Sequence, residues 1–199
     1  MKKHFLTCFM LIFVALTSFA QVQDPVKWQS KIEKISDTEY KISLDGTIEK
    51  GWHLYSQFTP DGGALPTEFN YNNAEGNYTF EPKATESEYK KVFNDVFEVD
   101  EYFFADEVHF THNLKITNTD VKQVELHLFY QACTDVCISN DKYFVFDLEK
   151  LTSKEVVNFE AAKTQEKQNA EEAVKTAVPE KKTESRGLWT IFILSFLKR

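Results

Sequence analysis

Three runs of this chain alternate apolar and polar residues with period two, and that pattern limits the folds open to it. Val108, Phe110, His112, Leu114 and Ile116 alternate with His109, Thr111, Asn113 and Lys115; Val124, Leu126, Leu128 and Tyr130 alternate with Glu125, His127 and Phe129. Tyr40, Ile42 and Leu44 do the same beside Lys41, Ser43 and Asp45. Such spacing puts every second side chain on one face of an extended strand. A further run, residues 143–148, is rich in aromatic and β-branched residues, as strands are. The turn-forming clusters Thr59-Pro60-Asp61-Gly62-Gly63 and residues 71–77 separate these runs. With no long amphipathic helix among them, the strands predict an all-β fold, an antiparallel β-sandwich.

The two ends read differently from this middle. Lys2 and Lys3 precede an uncharged stretch from Phe5 to Phe19 that closes on Ser18 and Ala20, the pattern of a secretory signal peptide over residues 1–20. The alternative is an uncleaved membrane anchor, but the 16 residues from Phe5 to Ala20 fall short of the roughly 20 a spanning helix needs. Residues 21–151 suffice for one domain with a sizeable core and are too few for two. Residues 152–186 form a charged flexible linker in this reading, rich in Glu, Lys, Ala, Thr and Gln, helical in part before Pro179. Residues 187–199 begin with Gly187, Leu188 and Trp189, turn strongly apolar and end on Lys198 and Arg199, like the start of a truncated transmembrane segment. Loss of the signal takes the net charge from −8 to −10, so bulk charge draws the mature protein to neither nucleic acid nor anionic lipid.

Cys8 lies within the signal, which leaves Cys133 and Cys137. An even pair in an exported protein is first read as a disulfide. Four extended steps span about 13 Å, whereas a disulfide holds its Cα atoms about 4.4–6.8 Å apart, so residues 133–137 must turn back as a tight loop or one helical turn. The pair falls between two expected strands, at the tip of a hairpin within a partner's reach. As a staple, a five-residue loop contributes only about 2 kcal/mol by chain entropy, and a short bent ring is easier to reduce. Spacing alone leaves a redox pair and a structural staple both open. A metal site is not expected: no second cysteine pair exists, and His109 and His112 face opposite sides of a strand. Asp135 beside the thiols disfavours the thiolate.

Several of these segments together resemble the amino-terminal periplasmic domain of the thiol:disulfide interchange protein DsbD. They are residues 51–56 (Gly51-Trp52-His53-Leu54-Tyr55-Ser56), Pro66-Thr67, Phe93-Asn94-Asp95-Val96-Phe97, Tyr130-Gln131-Ala132-Cys133, Cys137-Ile138 and Gly187-Leu188-Trp189. The resemblance implies an immunoglobulin-like fold and a protein-disulfide reductase module without a bound cofactor. Its partners would be thioredoxin-like domains and a membrane-embedded DsbD-type domain, with electrons passing on to periplasmic disulfide isomerases and cytochrome c maturation thioredoxins. Cys137 resembles the cysteine that forms the mixed disulfide and Cys133 the one that resolves it. Phe97 resembles the ring of a cap loop, with Asp95 its neighbour, and His53 and Tyr55 occupy aromatic positions beside the pair.

The sequence departs from the family in three places. Histidine stands at position 53 where tyrosine is expected, the Cys-x3-Cys spacing is shorter than the family's four or five, and Ser139-Asn140 stands where proline often follows. The tighter loop bears on which sulfur is exposed. The competing readings are an immunoglobulin-like adaptor with a purely structural disulfide and, on Trp28, Trp52 and the tyrosines alone, a lectin-like surface module. In a chain with 18 phenylalanines, a plain core ring is the alternative for Phe97.

Overall fold

The alternating runs become long strands that pair edge to edge. A computed structural model describes residues 23–165 and 167. The strands are β1 (Val26–Lys34), β2 (Glu39–Ile48), β3 (His53–Tyr55), β4 (Glu68–Tyr71), β5 (Tyr78–Phe80), β6 (Thr85–Glu86), β7 (Lys90–Asn94), β8 (Val99–Phe104), β9 (Glu107–Ile116), β10 (Gln123–Cys133), β11 (Cys137–Asp147) and β12 (Thr152–Val156). They form two antiparallel sheets. One has the order β1-β2-β9-β5 with β6 also on β9, and the other β12-β11-β10-β3-β8-β7 with β4 also on β10. This is the expected immunoglobulin-like sandwich.

Alternation along β9 is complete: Val108, Phe110, His112, Leu114 and Ile116 are buried, while His109, Asn113 and Lys115 are exposed. They meet Ile42 and Leu44 of β2, together with Val124, Leu126, Leu128 and Tyr130 of β10 and Phe144 and Phe146 of β11, in one apolar core. Burial of this area is the main force holding the sheets together. His112 is accommodated there because both ring nitrogens are engaged, Nδ1 at 3.0 Å from the Tyr71 hydroxyl and Nε2 at 2.6 Å from the Glu81 carbonyl oxygen. Burial pushes its pKa down, so it sits in the core as a neutral ring.

One boundary differs from the sequence reading. The linker was expected from residue 152, yet Thr152–Val156 pair with β11 from Asp147↔Thr152 to Tyr143↔Val156. The sequence Thr-Ser-Lys-Glu-Val shows little apolar patterning because β12 is a solvated edge strand. It is fixed instead by polar contacts. The Ser153 hydroxyl donates to the Ser30 carbonyl of β1 at 2.6 Å, and Lys142 reaches Glu155 at 3.0 Å and Asp24 at 2.7 Å. This compact unit closes at Phe159. A second unit begins at Glu160 and is helical through residue 165, where the Thr164 hydroxyl donates to the Glu160 carbonyl at 2.9 Å. The expected signal peptide, the rest of the linker and the apolar segment 187–199 lie outside the described residues.

Candidate redox site

The register of β10 and β11 runs without a break from Gln123↔Asp147 to Cys133↔Cys137. The two cysteines are therefore the last cross-strand pair of a hairpin, with Cα atoms 4.1 Å apart and a disulfide between them. The loop expected from the spacing is a three-residue turn, Thr134, Asp135 and Val136, all exposed and closed by the Thr134 amide donating to the Val136 carbonyl at 3.0 Å.

Strand parity decides what surrounds the sulfurs. Ala132 points into the main core with Leu54 of β3 and Phe104 of β8, so Cys133 points out of the opposite face. There it packs in a second cluster with Tyr55, Ala64 and Phe103. Residues 56–67 cross this face and are tied down at several points. The Thr67 hydroxyl donates to the Tyr55 carbonyl at 2.5 Å, and the Leu65 amide donates to Gln131 Oε1 at 2.8 Å. Gly63 permits the crossing, since a Cβ there would lie 3.1 Å from Val99 Cγ2. The two cysteines end in unlike surroundings. Cys133 is 4% exposed, whereas Cys137 is open to solvent.

His53 lies directly opposite Cys133 in the β3–β10 register and shares its face. Its half-buried ring stacks on Phe103 with centroids 4.1 Å apart. Burial lowers the imidazole pKa and Lys90 adds to the effect, while Glu101 acts in the opposite sense. Tyr55, two residues on, is buried edge-on against Phe103 and donates its hydroxyl to Glu101 Oε2 at 3.4 Å. Burial, with Glu101 beside it, pushes the Tyr55 phenol up to about 12.

Phe97 and Asp95 lie on the four-residue turn between β7 and β8, a hairpin at the edge of the same sheet. The Asn94 side chain shapes the turn, its Oδ1 accepting from the Val96 amide at 2.9 Å and the Phe97 amide at 3.2 Å, and Glu98 adopts a positive φ of 56°. Asn94 Nδ2 donates to Glu101 Oε1 at 2.9 Å. A chain of hydrogen bonds thus runs from the Phe97 amide through Asn94 and Glu101 to Tyr55 in the cysteine cluster. Phe97 is 55% exposed and Asp95 is exposed; Val92, Phe93 and Val96 present further apolar surface on the same hairpin.

Residues 21–149 match the family described as thiol:disulfide interchange protein DsbD, N-terminal. The chain belongs to this DsbD family. Among solved structures, the N-terminal periplasmic domain of ScsB from Proteus mirabilis aligns with a TM-score of 0.51 at 21% identity, covering 72% of this chain and 53% of that one. The chain therefore spans about half the length of that ScsB structure, and the likeness is one of fold. The reduced DsbD N-terminal domain of Neisseria meningitidis aligns with a TM-score of 0.46 at 13% identity, covering 70% and 96%. No curated protein matches the sequence.

In this DsbD-family domain, the structure brings four of the six expected site residues together: Cys133, Cys137, His53 and Tyr55. Phe97 and Asp95 stand on the neighbouring hairpin, from which the Phe97 amide connects through Asn94 and Glu101. Sequence reasoning missed Ala64, Phe103, Glu101 and Asn94. Only Asn94 carried a local signal, as a turn-forming residue at the end of an apolar run. The others acquire their places from pairing between strands far apart in sequence.

Proposed function

We propose that this domain is a periplasmic thiol–disulfide exchange module. It takes electrons from a thioredoxin-like reductase charged by a DsbD-type membrane domain and hands them to periplasmic disulfide isomerases and cytochrome c maturation thioredoxins. The unequal exposure of the two cysteines carries the reading. Exchange requires in-line approach of a thiolate to a sulfur, and Cys137 at the hairpin tip is open to that approach where Cys133 is not.

In the receiving direction, a partner thiolate attacks Cys137 Sγ, the S–S bond breaks and the electron pair leaves on Cys133 Sγ, which takes a proton. A second partner thiolate then attacks the sulfur of the mixed disulfide on its own side and releases Cys137, whose sulfur takes the second proton. Two electrons and two protons have moved. In the giving direction the Cys137 thiolate attacks a partner disulfide and Cys133 resolves the intermediate. Phe97 acts in this proposal as the ring that restricts access to the disulfide, its turn held by Asn94. Export by residues 1–20 and tethering through the charged stretch to the apolar segment 187–199 complete the arrangement.

A Cys133→Ala variant exposed to periplasmic extract should accumulate mixed disulfides through Cys137 with thioredoxin-like proteins, and Cys137→Ala should not. Absence of any capture, with a potential well below about −300 mV for the native pair, would mark the bond as structural and end the proposal.

A further inference from the structure

The exchange scheme leaves a proton unassigned. When the disulfide opens at Cys137, negative charge appears on Cys133, which is 4% exposed and packed by Tyr55, Ala64 and Phe103. An unpaired thiolate in such surroundings is costly, so it must gain a proton or a counter-charge as it forms. In the opposite direction a buried Cys133 thiol must lose the same proton before it can attack. We propose that His53 relays this proton between Cys133 and solvent, taking it from the thiol in one direction and passing one on from solvent in the other. The inference rests on the exchange function proposed above.

Geometry selects His53 over its neighbours. It is the residue directly across from Cys133, on the same face, where cross-strand Cβ atoms lie about 4.5–5.5 Å apart. Five other charged or titratable groups adjoin it. On its own strand, the Tyr55 hydroxyl is committed to Glu101, and a phenol raised to about 12 accepts no proton near neutrality while still protonated. On β8, Glu101 holds Tyr55 on one oxygen and Asn94 on the other. On β7, Lys90 supplies a fixed positive charge that favours a neutral imidazole. On β10 and β11 the groups are the two cysteines themselves. Among the described residues, neither ring nitrogen of His53 has a hydrogen-bond partner, so both are uncommitted. Its stack on Phe103 fixes the ring plane beside the cluster. A neutral ring at physiological pH is the form able to accept the thiol proton, and the resulting imidazolium stands next to the thiolate it has produced.

The step can be isolated from any protein partner. The reduced chain reacts with dithiobis-nitrobenzoate, first releasing one nitrothiobenzoate as Cys137 is modified, then a second as Cys133 displaces the adduct intramolecularly. The rate of the second release is read against pH. In the native chain it should rise through the His53 titration and level off. In His53→Phe, which keeps a ring against Phe103, it should fall at least tenfold at about pH 6.5, then climb tenfold per pH unit to meet the native rate once Cys133 ionises unaided. His53→Ala should show the same loss, with added imidazole restoring part of the rate. Superimposable profiles, or a loss equal at every pH, would overturn the assignment, the latter reducing His53 to packing. Because this assay needs no thioredoxin-like protein, its outcome is separate from the capture experiment that tests the exchange function.

Discussion

Reduction of the Cys133–Cys137 bond should cost this domain about 2 kcal/mol and leave it folded. The bond closes a loop of five residues, for which the chain-entropy relation gives that figure. The rest of the hairpin holds without it. Ten register pairs lie below the cysteines, and Leu126, Leu128, Tyr130, Phe144 and Phe146 anchor both strands in the core. A reduced Cys133 also stays compatible with its site, since a thiol behaves as a small apolar group against Tyr55, Ala64 and Phe103. Domains of this size have total stabilities of about 5–15 kcal/mol, so the reduced state remains well populated. Urea unfolding of the oxidised and reduced chain tests this, with a shifted midpoint and an unchanged slope expected. Unfolding on reduction, or a loss beyond about 4 kcal/mol, would show the bond to be structural and refute the reasoning.

Three other outcomes follow from the contacts. Leu128→Ala should destabilise by about 2–5 kcal/mol in urea unfolding, because Leu128 is fully buried between the sheets. Burial works to raise the Asp24 carboxyl, but bonds from Lys142 and Tyr130 outweigh it and hold the group below its ordinary value. A depressed carboxyl stabilises above its unfolded pKa and loses that contribution as pH falls through the folded one. Lys142→Ala should therefore cost about 1–2 kcal/mol at neutral pH and flatten the loss of stability below about pH 4, as read by melts across pH. Phe97→Ala should speed reduction of the disulfide by dithiothreitol several-fold without moving the reduction potential; an unchanged rate would remove Phe97 from the site.

Legibility in the sequence followed the range of the interactions. The strands β2, β9, β10 and much of β11 were readable because one face of each is buried, and period two records that directly. Position 125 broke the pattern: Glu125 alternates as an outward residue yet is 6% exposed, since Asn72 after β4 covers it and donates to it at 2.6 Å. β12 was missed because its side-chain ties are the Ser153 bond to Ser30 of β1 and the Glu155 bond to Lys142 of β11, which leave no apolar rhythm. At the site, the cysteine spacing required the chain to turn back but left a tight loop and a helical turn both open, and the order of motifs pointed to His53 and Tyr55. Phe103 and Ala64 could not be found that way. Phe103 and Phe104 are adjacent in β8 and look alike in the sequence, and only the pairing Tyr55↔Phe103 shows that Phe103 stands with Cys133.

The placement of Cys133 on the outward face of its sheet gives the protein two independently adjustable properties. The strands β3, β8 and β10 act as a partition: one side holds Leu54, Phe104 and Ala132, and the other holds His53, Tyr55, Phe103 and Cys133. The two sides share backbone and no side chains, so a substitution in front of the partition leaves the side-chain contacts of the main core behind it in place. Residues around the sulfurs are then free to change, and with them the ease of electron transfer, while the packing that keeps the domain folded stays as it is.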